Sequence, residues 1–302
     1  FRTEESMWNI SYGRHNVRIV SVEENGNVDF LVYGYMNRGT HEGMMGAAFY
    51  RYDRESDTVE EKFFFPVDSS FEKLEQDVSR LSYLGDNDMF YIMVDHSVYG
   101  IDLKSNEYMV VADLMEEGTF TVNDDGSHLA WQEGSQIYQS ETIHLMNLET
   151  GTKNEIHSQN GECVRVLGFV GDDFIYGLAH EGSQWVINGR VEELPMYVLE
   201  ILGENMEVQT RYEKEGYYIA GVTVGDSRIH LKRIVPISGD SYQLVDEDTI
   251  VCNEEIVDDS LAGIGWYTDS QRQRIYYVQL DSEIGGGRAI RAFSLGKITY
   301  AS

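Results

Sequence analysis

Short runs of apolar residues, many alternating with polar ones, recur along the whole chain. Val28-Asp29-Phe30-Leu31-Val32-Tyr33, Met89-Phe90-Tyr91-Ile92-Met93, His128-Leu129-Ala130-Trp131 and Arg274-Ile275-Tyr276-Tyr277-Val278 are four of them. Aromatic and β-branched residues dominate, and no run is long enough for an ordinary helix, so each predicts a β-strand. A second set comprises Phe49-Tyr50-Arg51-Tyr52, Val98-Tyr99-Gly100-Ile101, Ile143-His144-Leu145-Met146, Tyr197-Val198-Leu199-Glu200-Ile201 and Ile290-Arg291-Ala292-Phe293. A third covers 59–65, 108–111 and 208–212.

Two classes of turn separate these runs. The first appears at 24–27, 85–88, Asn123-Asp124-Asp125-Gly126, 171–173, 225–227 and 268–270. The second falls between them, at 54–57, 104–106, 149–151, 203–205, Asp246-Glu247-Asp248 and Leu295-Gly296. Gly accepts positive φ, while Asn and Asp hydrogen-bond their own backbone, so such clusters turn a chain. The second class recurs at a mean step of about 48 residues, within the range of propeller blades. Each unit therefore predicts four strands joined by tight turns, and six units are visible.

One stretch departs from this rhythm. Phe71, Leu74, Val78 and Leu81 have helical spacing, and Ser69 and Glu72 stand as in a capping box. The pattern predicts one short helix near 70–81, inserted between the first two units; an outer-strand linker is the alternative. Two longer insertions, 37–46 and 180–195, lengthen hairpin loops. Long loops on a repeat scaffold are common carriers of function. Residues 6–12, with Trp8, Ile10 and Tyr12 alternating, predict an extra strand that completes the last blade.

Residues 118–157 carry a more specific signal. They read Gly118-Thr119-Phe120-Thr121-Val122-Asn123-Asp124-Asp125-Gly126-Ser127-His128-Leu129-Ala130-Trp131, then Ile143-His144-Leu145-Met146-Asn147-Leu148-Glu149-Thr150-Gly151. This unit resembles the TolB-type, WD-repeat-like β-propeller repeat, with Asp124 where that repeat often has Pro. The resemblance implies an all-β fold: one β-propeller domain over 1–302, built of four-stranded antiparallel blades. Six blades are expected, with seven as the alternative. Physics favours closure, because a lone meander cannot bury its faces and its edges invite pairing.

Charge narrows the partners. The chain has 302 residues, with 23 basic and 52 acidic, for a net charge of −29. Nucleic-acid affinity depends on cations at each phosphate, so nucleic acid is excluded. Anionic membranes are disfavoured for the same reason, and no apolar run reaches the roughly 18 residues that span a bilayer. A protein, peptide or glycan partner remains. The chain opens at Phe1, which suggests a processed or truncated part of a longer precursor, and an extracytoplasmic, secreted or lipid-anchored protein is expected. It is expected to be monomeric. Cys163 and Cys252 read as two reduced thiols, with one long-range disulfide as the alternative.

Catalytic motifs are missing. Gly225-Asp226-Ser227-Arg228-Ile229 lacks the second Gly of a nucleophile elbow, and Gly285-Gly286-Gly287 has no helix behind it to hold a phosphate. Neither Asn123–Gly126 nor Asp246–Asp248 has the alternating oxygens of a Ca²⁺ loop. No cofactor is expected, beyond a weak Ca²⁺ ion in the channel. The candidate binding residues lie in the two insertions: His41, Met44 and Met45 in the first, Trp185 and Arg190 in the second. Trp131 and Trp266 sit in repeat strands and predict core, whereas Trp185 predicts a surface anchor. The expected function is a non-catalytic ligand- or protein-binding propeller. The alternatives are a propeller enzyme (glycosidase, lyase or metal-dependent lactonase) with its site at the channel mouth, or a purely structural module.

Overall fold

The computed structural model describes residues 3–4, 14–134, 137–187, 190–225, 228–238, 241–252, 262–268, 273–280 and 297–299. The described chain is all-β, with antiparallel sheets and one α-helix. It divides into two compact units: 1–84, 88–109 and 258–302 form the first, and 85–87 with 110–257 the second.

In the first unit, β1 (Thr3–Glu4) precedes a meander of β2 (His15–Val22), β3 (Val28–Tyr35), β4 (Met45–Asp53) and β5 (Thr58–Pro66). The helix α1 (Phe71–Arg80) follows. A second meander runs β6 (Ser82–Leu84), β7 (Met89–Val94), β8 (Ser97–Asp102) and β9 (Tyr108–Ala112). Its central hairpin turns on Asp95 and His96, at φ 50° and 65°. Two successive positive φ values match the right-handed twist of the flanking strands.

The helix is where the sequence places it, but Ser70 is its cap rather than Ser69. Ser70 is extended, and its hydroxyl accepts a bond from the Lys73 backbone N–H. Leu74, Val78 and Leu81 are fully buried, so the helical stripe covers the sheets as its spacing predicts. Asp77 accepts from the Asp95 backbone N–H at 2.9 Å, which ties the helix to the β7–β8 turn.

Phe49 and Phe90, both fully buried, meet with ring centroids 4.8 Å apart at 55°. They join the first two sheets and the helix through one core that includes Leu31, Ile92, Ile101 and Leu74. The outer strand β9 instead exposes Tyr108, Met109 and Val110 (63, 59 and 52% exposed).

The second unit repeats the pattern. The strands β10 (Phe120–Val122), β11 (His128–Gln132), β12 (Thr142–Asn147) and β13 (Lys153–His157) form a third meander. Next come β14 (Glu162–Val170) and β15 (Asp173–His180), followed by the ribbon β16 (Trp185–Ile187) and β17 (Arg190–Glu193). The chain then returns through β18 (Met196–Leu202) and β19 (Val208–Glu213). A further sheet comprises β20 (Tyr218–Gly225), β21 (Arg228–Ser238), β22 (Ser241–Leu244) and β23 (Asp248–Val251). It joins the preceding sheet through one pair, Met196↔Ile219.

This fifth sheet differs from the four-stranded expectation. Both β22 and β23 pair with β21, the first at Ile234–Ser238 and the second at Arg228–Leu231. The Asp246–Asp248 turn therefore steps along one long strand instead of joining two neighbours. Asp248 accepts from Arg233 and Tyr212, each at 3.0 Å, and this pins the step. The last described strands are β24 (Ala262–Thr268), β25 (Gln273–Leu280) and β26 (Lys297–Thr299). β24 and β25 form a hairpin, β1 pairs with β25, and β26 lies parallel to β5. The expected strand at 6–12, residues 226–227 and 269–270 of two expected turns, the turns at 285–287 and 295–296, the run 290–293 and the side chain of Trp266 lie outside the described residues.

Both cysteines are free thiols; Cys163 is buried and Cys252 half-buried, on one apolar cluster. Burial pushes the Cys163 thiol above its ordinary value. Among the described residues, no helix is long and apolar enough to cross a membrane.

Truncating Phe49 to Ala would open a void between two sheets. Such losses cost about 3–5 kcal/mol, and chemical denaturation should read a drop of that size. His144 supplies a pH test. Burial and neighbouring Lys153 lower its pKa from the ordinary 6.5. The unfolded chain then takes up this proton first, so the contribution is present above about 6.5 and fades as pH falls below it. A His144→Gln variant should show a flatter midpoint-versus-pH curve in that window; an unchanged slope refutes the assignment.

Candidate functional site

Two polar concavities lie on the turn edge of the third and fourth sheets. A cleft of about 360 Å³ is lined by residues that include Asp125, His128, Asn147, Glu149, Asp172 and Glu204. A shallower one of about 600 Å³ shares Asp172 and Glu204 and adds Asp173, Asn205 and Gln209.

These residues reach the cleft because they build the turns. Asp125 Oδ1 accepts from the Ser127 backbone N–H at 2.8 Å, and Asn147 Oδ1 accepts from Thr150 N–H at 2.9 Å. Asn123 Oδ1 accepts from His128 N–H at 2.8 Å, while its amide donates to Asp172 Oδ1 at 2.9 Å and Ser127 Oγ at 3.0 Å. One buried Asn side chain thus bridges the third sheet to the β14–β15 turn.

His128 sits at the centre, its side chain 12% exposed. The Asn147 oxygen is occupied by Thr150, so its amide nitrogen faces His128 Nε2, 3.1 Å away. Nε2 then accepts, and because the Asn123 amide, 3.3 Å from Nδ1, spends its two hydrogens on the closer Asp172 and Ser127 oxygens, the ring proton is assigned to Nδ1. Nδ1–H points at Ser127 Oγ (2.9 Å), with Asp172 Oδ1 3.4 Å away.

Serine, histidine and aspartate together invite a triad reading, and the geometry rejects it. In a triad the nucleophile and the carboxylate contact different ring nitrogens, so that one orients while the other takes a proton. Here Ser127 and Asp172 share Nδ1, and Nε2 is occupied by an amide. The cluster is a polar brace. What it leaves open to solvent are carboxylates and hydroxyls: Asp125, Glu149, Glu204, Thr150 and Thr152. That surface can bind cations and hydrogen-bond donors.

The first insertion is shorter than the sequence suggests. Met45 and Gly46 belong to β4, and the loop is 36–44. Met45 packs on the core of the first unit, so it is not a free contact, while Met44 is 41% exposed. His41 folds back over β5. Its Nε2 lies 2.7 Å from Oε1 of Glu61, a nearly buried carboxylate that also accepts from Tyr50 O–H at 2.7 Å. The ring stacks on Phe64, with centroids 3.8 Å apart at 8°.

The second insertion corrects the surface-anchor expectation. Trp185 is only 8% exposed and packs with Ala220 and Ile234, beside Tyr218 and Tyr242. Lys232 Nζ stands 5.8 Å from its ring centroid. Strand pairing within 185–193 turns the indole inward, and an isolated loop reading could not supply that contact. Arg190 opens β17 opposite Ile187; its side chain lies outside the described residues. The first insertion belongs to the first unit and the second insertion to the second. Trp131 is buried in the third sheet, as expected, with Lys153 Nζ 5.0 Å above its ring. Among the described residues, no group of three or more His, Cys, Asp or Glu could hold a metal.

The sequence reading missed the cleft because Asn123, Asp125 and Asp172 were accounted for as turn formers and Asn147 as part of the repeat. They also line or brace the cleft. The spacing from Asn123 to Asp172, about one repeat, was the available signal.

No family model matches the chain. No curated protein shows significant similarity to it. Solved structures do. The β-propeller domain of the Trilobed protease from Pyrococcus furiosus is 10% identical, with 88% of this chain and 80% of that chain covered at a TM-score of 0.33. An oligogalacturonate lyase in complex with manganese is 13% identical, covering 87% and 81% at 0.34. A post-proline cleaving enzyme from Rickettsia typhi is 9% identical, covering 90% and 42% at 0.35. At this level of overlap, the likeness identifies neither a family nor an activity.

The arrangement at His128 predicts a spectroscopic outcome. In ¹⁵N-resolved NMR near neutral pH, Nδ1 should carry the proton and Nε2 should resonate as a bare, hydrogen-bonded nitrogen. The opposite tautomer would reopen the triad reading.

Proposed function

We propose that the chain is a non-catalytic binding module of the β-propeller type, and that the cleft beside His128 takes a cationic segment of a peptide or protein. The propeller reading is supported by consecutive meanders in chain order and by β1 lying against β25, the last hairpin. Six blades remain the preferred count.

One observation carries the binding reading: four carboxylates, Asp125, Glu149, Asp172 and Glu204, converge on one concave site braced by side-chain hydrogen bonds. A braced site loses little freedom on binding, which favours affinity. The chain's charge of −29 speeds the approach of cations. Lys or Arg side chains would meet the carboxylates, with Thr150, Thr152 and Asn154 available to the peptide backbone. The enzyme alternative has less support, because the histidine at the centre has both nitrogens engaged in the brace.

Fluorescence anisotropy with a labelled oligolysine peptide tests this reading. Binding should weaken as salt screens the charges. A Glu149→Gln/Glu204→Gln double variant should lose roughly tenfold in affinity, as expected for two part-exposed ion pairs. A labelled oligoglutamate should not bind. Equal affinity of wild type and double variant for oligolysine would remove the cleft as the site.

A further inference from the structure

The loop 36–44 of the first unit holds an arrangement that the cleft does not explain. Glu61 is buried among strands and accepts two bonds, one from Tyr50 O–H and one from His41 Nε2–H. A carboxylate on Nε2 fixes the tautomer and leaves the lone pair on Nδ1. That nitrogen has no hydrogen-bond partner among the described residues. Metal-ligating histidines characteristically donate their other N–H to a carboxylate, which orients the ring and raises its basicity. Stacking on Phe64 adds a second restraint on ring orientation without covering the in-plane lone pair.

Two methionines belong to the same loop as this imidazole. Met44 N–H donates to His41 O at 3.1 Å, closing a turn with His41 and Met44 at its two ends. The ends of such a turn lie within about 7 Å, Cα to Cα. Met44 is 41% exposed. Met36 crosses the neck of the loop, donating to Met44 O and accepting from Gly43 N–H, each at 2.8 Å. Its side chain packs in the same cluster as Phe64, the ring on which His41 lies. The loop is rigid for its length: these bonds cross it, and Gly39 and Gly43 supply φ of 86° and 88°.

We propose that this loop is a soft-metal site, in which His41 Nδ1 and the thioether sulfurs of Met44 and Met36 bind Cu(I). Thioether and imidazole donors select a soft monovalent ion over Ca²⁺ or Mg²⁺, which need oxygen. Glu61 has one oxygen on His41 Nε2 and the other on the Tyr50 hydroxyl, so its part is to position the ligand. No redox step is involved; the ion is bound and released as Cu(I). The loop belongs to the first unit and the acidic cleft to the second.

The test uses Ag(I), a redox-inert probe of the same softness, on the full chain carrying ¹³C-methyl methionine and Cys252→Ser, so that the half-buried thiol does not compete for the ion. Met109, more exposed than Met44, serves as an internal control for unspecific sulfur binding. The Met44 and Met36 methyl signals should move and saturate at one equivalent while Met109 stays put, and an Nδ1 shift of His41 should accompany them. Met44→Leu, which keeps the loop's shape, should weaken binding at least tenfold. Glu61→Gln should weaken it less and move the His41 signals in the metal-free protein. Cu(I) held reduced by ascorbate should displace Ag(I), and Zn(II) should not. Parallel unsaturating shifts of Met44 and Met109, full affinity in Met44→Leu, or displacement by Zn(II) would each overturn the assignment.

Discussion

The structure depends on central strands that are apolar on both faces. In β7, Phe90, Tyr91, Ile92, Met93 and Val94 are all buried, and consecutive residues of a strand point to opposite sides. A sheet with such a centre has no face to offer water. It must be covered twice, and within each unit a neighbouring sheet does the covering. Phe49 against Phe90 is that contact in the first unit. In the second, Ala130 and Ile143 of the third sheet share a cluster with Val164 and Phe174 of the next, and Ile175 and Leu199 share another with Ile219 and Ile229.

Polar groups within these layers follow from the same constraint, since a buried charge without a partner is costly. Asp29 is buried, and Arg51 on the adjacent strand meets it with two bonds at 2.7 and 3.0 Å. Asp29 in turn holds the Arg51 guanidinium above its ordinary value. Glu200 is met by Tyr176 and Arg211 from the strands on either side. Burial and hydrogen bonding to Glu162 push the Tyr197 phenol up to about 12. Gln132 ties one sheet to the next by accepting from Val166 N–H at 3.1 Å. In these cases the partner stands on another strand, so pairing register decides whether the polar group is tolerated. At the edges the constraint relaxes: β13 alternates between exposed and half-buried positions, while β9 leaves Tyr108, Met109 and Val110 open.

The two chemical features arise from these same devices. The acidic cleft is a by-product of turn building, where Asx side chains capped on backbone leave neighbouring carboxylates facing solvent. The His41 loop is a by-product of burying Glu61, whose second oxygen needed a donor and found an imidazole reaching over from the β3–β4 connection. In both, a stable buried partner holds an exposed group still, and this separates a site from a charged surface.

Most of the described strands, the helix and most of the described turns were legible in the chain, because they rest on local rules: alternation, β-branched and aromatic runs, Gly, Asn and Asp at turns. The Phe71–Leu81 stripe predicted a helix that the structure keeps. Where neighbours decided, the sequence was silent. Ser70 rather than Ser69 caps the helix, since the hydroxyl that reaches the Lys73 N–H depends on the entry angle of the chain. Trp185 turns inward because Ala220 and Ile234, more than thirty residues on, provide its seat. Asp246–Asp248 fails to make a hairpin because β21 is long enough to pair with two short strands at once. His41 was visible as a candidate, but its value lies in Glu61 and Tyr50, brought beside it by register alone. Local periodicity determined what each segment would become; long-range pairing decided which side chains would meet, because contacts between distant residues carry no local pattern.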